Sequence, residues 1–262
     1  LNSNRQSRLL DLAATSLTLS TQVDRMGGYR AWIESLATWR QDIRDRVERR
    51  SFIAIPGMDQ HLFTRSGIAY LLDDSLFEAP AEDRAFEVII AFNKLLQSRG
   101  IDLILVPVPS REEIYPDKLS VACPSHRLVS PQCTQLLQAL LGAGVEVVDL
   151  REAFLDERKK RDEPLYTMAD IHWGTYGIQR AAAEIAPRLR RYFSPPSGKR
   201  ILYSEKLTKM IREGGLVPYL PPEDRVDYPP TEFDAFEVLI PDGGHYHDVE
   251  HSPVVVVGDS FS

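Results

Sequence analysis

Only two cysteines, Cys123 and Cys133, occur in the 262 residues, which excludes both a disulfide-stapled scaffold and a structural zinc site built on thiolates. Long apolar runs are also missing. Even residues 9–23, the nearest approach to one, are broken by Asp11 and many hydroxyls, so no segment has the length that spans a bilayer. Nor is there an excess of basic residues: the formal net charge of −7 removes the general pull toward nucleic acid or an anionic membrane. Arg40, Arg44, Arg46, Arg49 and Arg50, and later Arg188, Arg190 and Arg191, are local exceptions that read as solvated helix faces. Internal repeats and low-complexity tracts are absent. The first residue is Leu1 rather than Met, which leaves room for a leader or anchor removed by processing.

What is present is enough apolar material, 43% of the chain, for one sizeable α/β core with appendages. Gly27-Gly28 separates a polar helix candidate from a second helix over 29–48, where Trp32, Leu36, Trp39, Ile43 and Val47 recur at helical spacing. Residues 51–72 read as short strands and turns. A helix over 81–98 then stops at Arg99-Gly100 and is followed by an apolar strand, 101–106; a helix over 132–141 stops at Gly142-Ala143-Gly144 before a second strand, 145–150. Helix, glycine stop, strand and polar loop is the grammar of an open, mostly parallel α/β sheet with flanking helices. Pro187 should end or kink a further helix, from about Thr175, before Arg191. Residues 1–50 form an N-terminal helical extension and 51–262 the α/β domain, with 193–250 as a Pro-rich, irregular insertion or short β extension over the sheet edge. Val254 to Val257, between Pro253 and Gly258, reads as a strand buried on both faces.

Such a strand would deliver Ser260 to the carboxyl edge of the sheet, where open α/β folds hold their chemistry. A serine hydroxyl needs a base, and the base needs a carboxylate to fix its tautomer. Asp170 and His172 supply both: one residue apart in an extended loop ahead of a helix, they project to the same side. Asp259 is a turn-former rather than a third partner. Ser110 and Arg111, following the 101–106 strand, face the same crevice and are candidates to position substrate. The spacing of Cys123 and Cys133, with prolines between them, favours a disulfide closing a surface loop over two unrelated thiols. His245, His247, Asp248, Glu250 and His251 are dense in metal-ligand types but match no closed zinc signature, and a solvated loop is the preferred reading. His61 and His126 read as surface or packing histidines. Tyr219, Tyr228 and Phe233 read as an ordered surface loop, with a sugar-stacking lid as the alternative.

Four fragments in order carry a resemblance: Gly57-Met58-Asp59-Gln60-His61-Leu62-Phe63, Val106-Pro107-Val108-Pro109 through Tyr115-Pro116, Asp170-Ile171-His172-Trp173, and Gly258-Asp259-Ser260. Together they resemble the SGNH hydrolases, specifically the branch of the alginate O-acetyltransferases AlgX and AlgJ, in which the Asp-x-His block precedes the serine. The resemblance implies an SGNH-like, flavodoxin-like fold and an extracytoplasmic, periplasmic setting. It implies a triad of Asp170, His172 and Ser260 without a cofactor, with Trp173 joining Ser110 and Arg111 as a substrate contact. The partners it implies are a polysaccharide acceptor and an acetyl donor, which a membrane-bound acyltransferase could supply; nucleic acid is not among them. A carbohydrate acetylesterase and a non-catalytic polysaccharide-binding or scaffold protein are the alternatives. Three departures stand out. Gln60-His61 replaces the expected Gly-Trp; the only asparagines, Asn2, Asn4 and Asn93, provide no Gly-x-Asn-Asp block; and the sequence stops two residues after Ser260, where a helix that supports an oxyanion is expected to follow. The natural protein is accordingly expected to continue.

Overall fold

A computed structural model describes residues 29–48, 52–73, 85–123, 129–193, 202–246 and 252–261. The first polar helix candidate, Arg49, Arg50 and His126 fall outside that set, as do His247, Asp248, Glu250 and His251. In chain order the elements are α1 (Tyr29–Glu48), β1 (Ala54–Pro56), β2 (Leu62–Thr64), α2 (Arg65–Leu72), α3 (Ala85–Ser98) and β3 (Ile104–Leu105). There follow α4 (Arg111–Ile114), α5 (Pro131–Gly142), β4 (Glu146–Val147), α6 (Arg151–Arg158), α7 (Thr175–Leu189), β5 (Ser204–Arg212) and β6 (Thr231–Leu239). Among the described residues no helix is long and apolar enough to cross a membrane.

The expected βαβ grammar is realised once. β3 and β4 pair in parallel, Ile104 with Glu146 and Leu105 with Val147, and the Val148 N–H extends the ladder to the Leu105 carbonyl at 2.9 Å. The crossover helix α5 lays Cys133, Leu137, Leu140 and Leu141 against Phe86 of α3 and Val145 and Val147. A broad parallel sheet does not form among the described residues; each sheet has two strands. The expected third parallel strand is corrected most clearly: Val255, Val256 and Val257 are 80%, 76% and 90% exposed and belong to no ladder. Branched residues favour an extended backbone whether or not a neighbouring strand pairs with it, so their run could not distinguish a buried strand from an exposed extended segment.

The main core lies between α1, α2, α6 and the two loops that carry Tyr115 and Tyr166. Trp39, Ile43, Ile55, Phe63, Phe154 and Tyr166 are among its buried members. Arg40 of α1, expected at a solvated face, is instead buried with its guanidinium donating to the Leu72 carbonyl. Arg65 to Leu72, within the stretch expected to hold only short strands and turns, forms α2, because Thr64 caps the helix through its hydroxyl (2.9 Å from the Gly67 N–H). The Glu112 carboxylate packs so close that a Cβ at Gly67 would lie 2.5 Å from it.

The segment expected to be irregular holds the longest strands. β5 and β6 pair antiparallel over nine residues each, from Ser204 with Leu239 to Arg212 with Thr231. Of the described prolines of this region, Pro218, Pro221, Pro222, Pro229 and Pro230 lie in the connection between the strands and Pro241 in the turn after β6, places where a missing N–H breaks no ladder. Cys123 and Cys133 are both free thiols, which corrects the expected disulfide: both are buried, but Cys123 packs in the main core and Cys133 in the α3/α5 cluster.

Beneath α5 and α6 lies a buried ion pair. Arg151 donates from Nε and Nη2 to the two carboxylate oxygens of Asp149 at 3.0 and 2.8 Å and from Nη1 to the Thr134 hydroxyl at 3.0 Å. Burial works against charge at Asp149, but the Arg151 guanidinium wins and holds its pKa below the ordinary carboxylate value. Arg151→Leu therefore costs about 3–5 kcal/mol in urea unfolding, because it strands the Asp149 charge, and adding Asp149→Leu recovers part of that loss. A single variant as stable as the wild type contradicts this reading.

Candidate active site

Residues 165–174 fold back on themselves as a short hairpin. Tyr166 bridges Trp173, the Gly174 N–H donates to the Leu165 carbonyl at 2.7 Å, and the Asp170 N–H closes the tip on the Thr167 carbonyl at 3.3 Å. Two hydroxyls fix the base of the hairpin: Tyr115 accepts from the Leu165 N–H at 2.9 Å, and Tyr166 donates to the Pro109 carbonyl.

Arg111 holds the tip from below. Its Nη1 donates to the carbonyls of Leu62 (2.8 Å) and Asp170 (2.6 Å), and its Nη2 donates to the Met168 carbonyl and to His61 Nδ1 (3.2 Å). Burial pushes the Arg111 pKa down to about 10, so the side chain stays charged at neutral pH. His61 must be an acceptor in that contact. Burial, reinforced by the Arg111 and Lys118 charges, drives its pKa down to about 3, and the ring lies 5.1 Å from Tyr115 and 6.2 Å from Phe63, centroid to centroid.

From the side, Gly214 and Gly215 press their backbone against the same tip. The Leu216 N–H donates to the Ala169 carbonyl at 3.0 Å and the Gly215 N–H to Asp170 Oδ2 at 3.0 Å. Side chains are excluded here, since a Cβ at Gly214 would meet the Ala169 carbonyl at 2.4 Å and one at Gly215 the Asp170 carboxylate at 2.8 Å.

Asp170 Oδ1 accepts from the His172 backbone N–H at 3.0 Å and lies 2.7 Å from His172 Nδ1; His172 Nε2 lies 2.8 Å from Ser260 Oγ. Burial raises the cost of charge at Asp170, but the hydrogen bonds from His172 and the Gly215 N–H outweigh it and hold the pKa below the ordinary carboxylate value. An ionised carboxylate on Nδ1 assigns the proton to that nitrogen and leaves Nε2 as the acceptor facing the serine hydroxyl. That arrangement can take the Oγ proton as Oγ attacks an acyl carbon.

Ser260 itself is exposed, and Phe261 ties it down. The Phe261 ring lies 4.9 Å from the His172 ring and meets Trp173 edge-on at 5.9 Å, while the Asp259 carboxylate accepts from the Phe261 N–H at 3.0 Å. The structure thus brings Asp170, His172 and Ser260 together. The three residues expected to contact substrate have partners within the protein. Ser110 caps α4 in a reciprocal pair with Glu113, Arg111 is buried under the hairpin, and Trp173 packs between Phe154 and Phe261. Sequence reasoning missed Gly214-Gly215 and Phe261. The glycine pair was a visible signal of close backbone approach, and the aromatic after Ser260 a visible candidate anchor.

The sequence matches the family described as the SGNH hydrolase-like domain of the acetyltransferase AlgX over residues 54–262. It is 22% identical over 184 residues to a protein of Azotobacter vinelandii named probable alginate O-acetylase AlgJ, covering 67% of this chain and 46% of that protein. The chain thus spans about half the length of this curated relative. The O-acetyltransferase domain of Pseudomonas putida AlgJ superposes with a TM-score of 0.56 at 21% identity, covering 73% of this chain and 67% of that one. Pseudomonas aeruginosa AlgX superposes with a TM-score of 0.52 at 21% identity, covering 71% and 43%. These likenesses establish the SGNH-like fold.

The neutral His61 has a consequence for stability. In the unfolded chain its ring takes a proton near pH 6.5, in the folded chain only near pH 3, so the unfolded state binds more protons across that window. Folding stability is full above pH 6.5 and falls as pH drops toward 3, by at most about 1.4 kcal/mol per pH unit from this group. Urea unfolding at stepped pH therefore shows wild type losing ground to His61→Gln below pH 6.5. Parallel curves for the two proteins contradict a neutral buried His61.

Proposed function

The chain belongs to the family of AlgX-type SGNH hydrolase-like acetyltransferase domains, and on that premise we propose that it is an extracytoplasmic polysaccharide O-acetyltransferase that works through Ser260, His172 and Asp170. The observation that carries the proposal is the unbroken chain of contacts from Asp170 Oδ1 through the imidazole to Ser260 Oγ. Family membership and the alginate O-acetylase relative support the acetyl chemistry and a sugar hydroxyl as acceptor.

The reaction proceeds in two halves. Ser260 Oγ attacks the donor's acetyl carbon as His172 Nε2 takes the hydroxyl proton; the donor's leaving group departs with that proton, and an acetyl ester remains on Oγ. A sugar hydroxyl then gives its proton to Nε2 and attacks the ester carbon. The Oγ–acetyl bond breaks and Oγ recovers the proton. Asp170 stays ionised throughout, holding the imidazole and stabilising its charged form. The donor is a second substrate, which a membrane-bound acyltransferase could supply.

Solvent exposure of Ser260 favours a second reading, in which water competes for the acetyl-serine and the chain acts as an acetylesterase. The two readings separate on the product: acetylated sugar for transfer, free acetate for hydrolysis. With p-nitrophenyl acetate as donor, Ser260→Ala abolishes turnover, His172→Ala lowers it by about a hundredfold or more, and Asp170→Asn by about a thousandfold. Turnover that survives Ser260→Ala removes the proposal.

A further inference from the structure

A groove of about 440 Å³ opens on the face that carries β1, lined by Phe52, Pro56, Pro221, Tyr228, Asp224 and Asp227 together with Ala54. It is separate from the Ser260 hydroxyl but shares a wall with the loop that holds the base. Ala54 and Tyr228 line the groove and belong, with Leu62, Leu216 and Leu220, to the hydrophobic cluster that Ala169 and Ile171, the residues on either side of Asp170, also join.

Its chemistry is that of a sugar site with a charge preference. Phe52 is 46% exposed and presents an aromatic surface beside Tyr228. The two carboxylates give the groove a negative field that low-dielectric walls focus. The neighbouring cations keep their charge but are held on backbone outside the groove: Arg225 turns onto the carbonyls of Leu220 (3.1 Å) and Pro218 (2.8 Å), and Arg65 onto those of Phe52 and Val47, so the charged groups that line the groove are the two carboxylates. An ammonium group is attracted both by carboxylates and by aromatic faces, whereas a uronate is repelled by the first and gains nothing electrostatic from the second.

We propose that this groove binds a glycan segment bearing free, protonated amino groups. Its assignment as the acceptor site rests on the transfer reading above; its binding preference does not.

Calorimetric titration of the chain, without an acetyl donor, tests the preference with three probes: a glucosamine oligosaccharide, the same oligomer fully N-acetylated, and an oligouronate. The glucosamine oligomer binds. The N-acetylated one binds about tenfold more weakly or worse, and the oligouronate gives no heat. Added salt weakens the first interaction in the wild type, a result that needs no variant. Asp224→Asn with Asp227→Asn lowers the affinity for the glucosamine oligomer about tenfold, with the thermal melt compared to confirm folding. No binding of the glucosamine oligomer, equal binding of all three probes, or affinity indifferent to salt and to the paired substitution overturns the proposal. Binding without hydrolysis of p-nitrophenyl acetate leaves the groove assigned and removes the transfer reading; hydrolysis without binding does the reverse.

Discussion

Arg111 is cut off from solvent, so its terminal N–H groups must find acceptors inside the protein, and those they find are the carbonyls of Leu62, Met168 and Asp170 and the ring of His61. Backbone carbonyls satisfy a guanidinium without neutralising it, so the charge persists beneath the hairpin that carries Asp170. That constraint propagates upward. With the Asp170 carbonyl held from below and its Oδ2 held from the side by the Gly215 N–H, Oδ1 is left facing His172, and the imidazole in turn faces Ser260. His61 completes the support by remaining neutral; a protonated ring would place a donor and a second positive charge against Nη2.

Packing and electrostatics divide the work of holding this site. The aromatic chain from Tyr115 through Tyr166 and Phe154 to Trp173 and Phe261 runs from the core to the neighbour of Ser260, each pair meeting tilted or edge-on within 6.4 Å. On the opposite flank, Thr175 and Tyr176, immediately after the hairpin, donate to the carbonyl and carboxylate of Asp234 on β6. The β5/β6 ribbon is therefore a buttress for the start of α7. Its connection, rich in proline and acidic residues, forms one wall of the groove on the β1 face.

Part of the candidate site's geometry was legible because two of its residues are neighbours in sequence. Asp170 and His172 sit one residue apart, and the need of a serine for a base and of a base for a carboxylate leaves few ways to combine them. The helices over 29–48 and 132–141, and the start of the one at Thr175, were legible from periodicity and glycine stops; that last helix runs through Pro187 and ends at Leu189, before Arg191. What was not legible depends on contacts distant in sequence. Whether Val254 to Val257 is buried depends on neighbouring strands, which the residues themselves do not encode. Arg111 looked like a substrate contact because it follows a strand, but three carbonyls brought together by folding claim its donors. The same holds for the cysteines: their short spacing suggested a bond, yet each thiol is drawn into a different hydrophobic cluster.

For Ser260 to carry the acyl group in the proposed reaction, His172 has to remove its proton. Peptide mapping by mass spectrometry after brief exposure to p-nitrophenyl acetate tests that step directly. A single acetyl group on the peptide containing Ser260, absent from His172→Ala treated alike, is the result predicted here. An acetyl group found on another residue, or on Ser260 equally with and without His172, contradicts it.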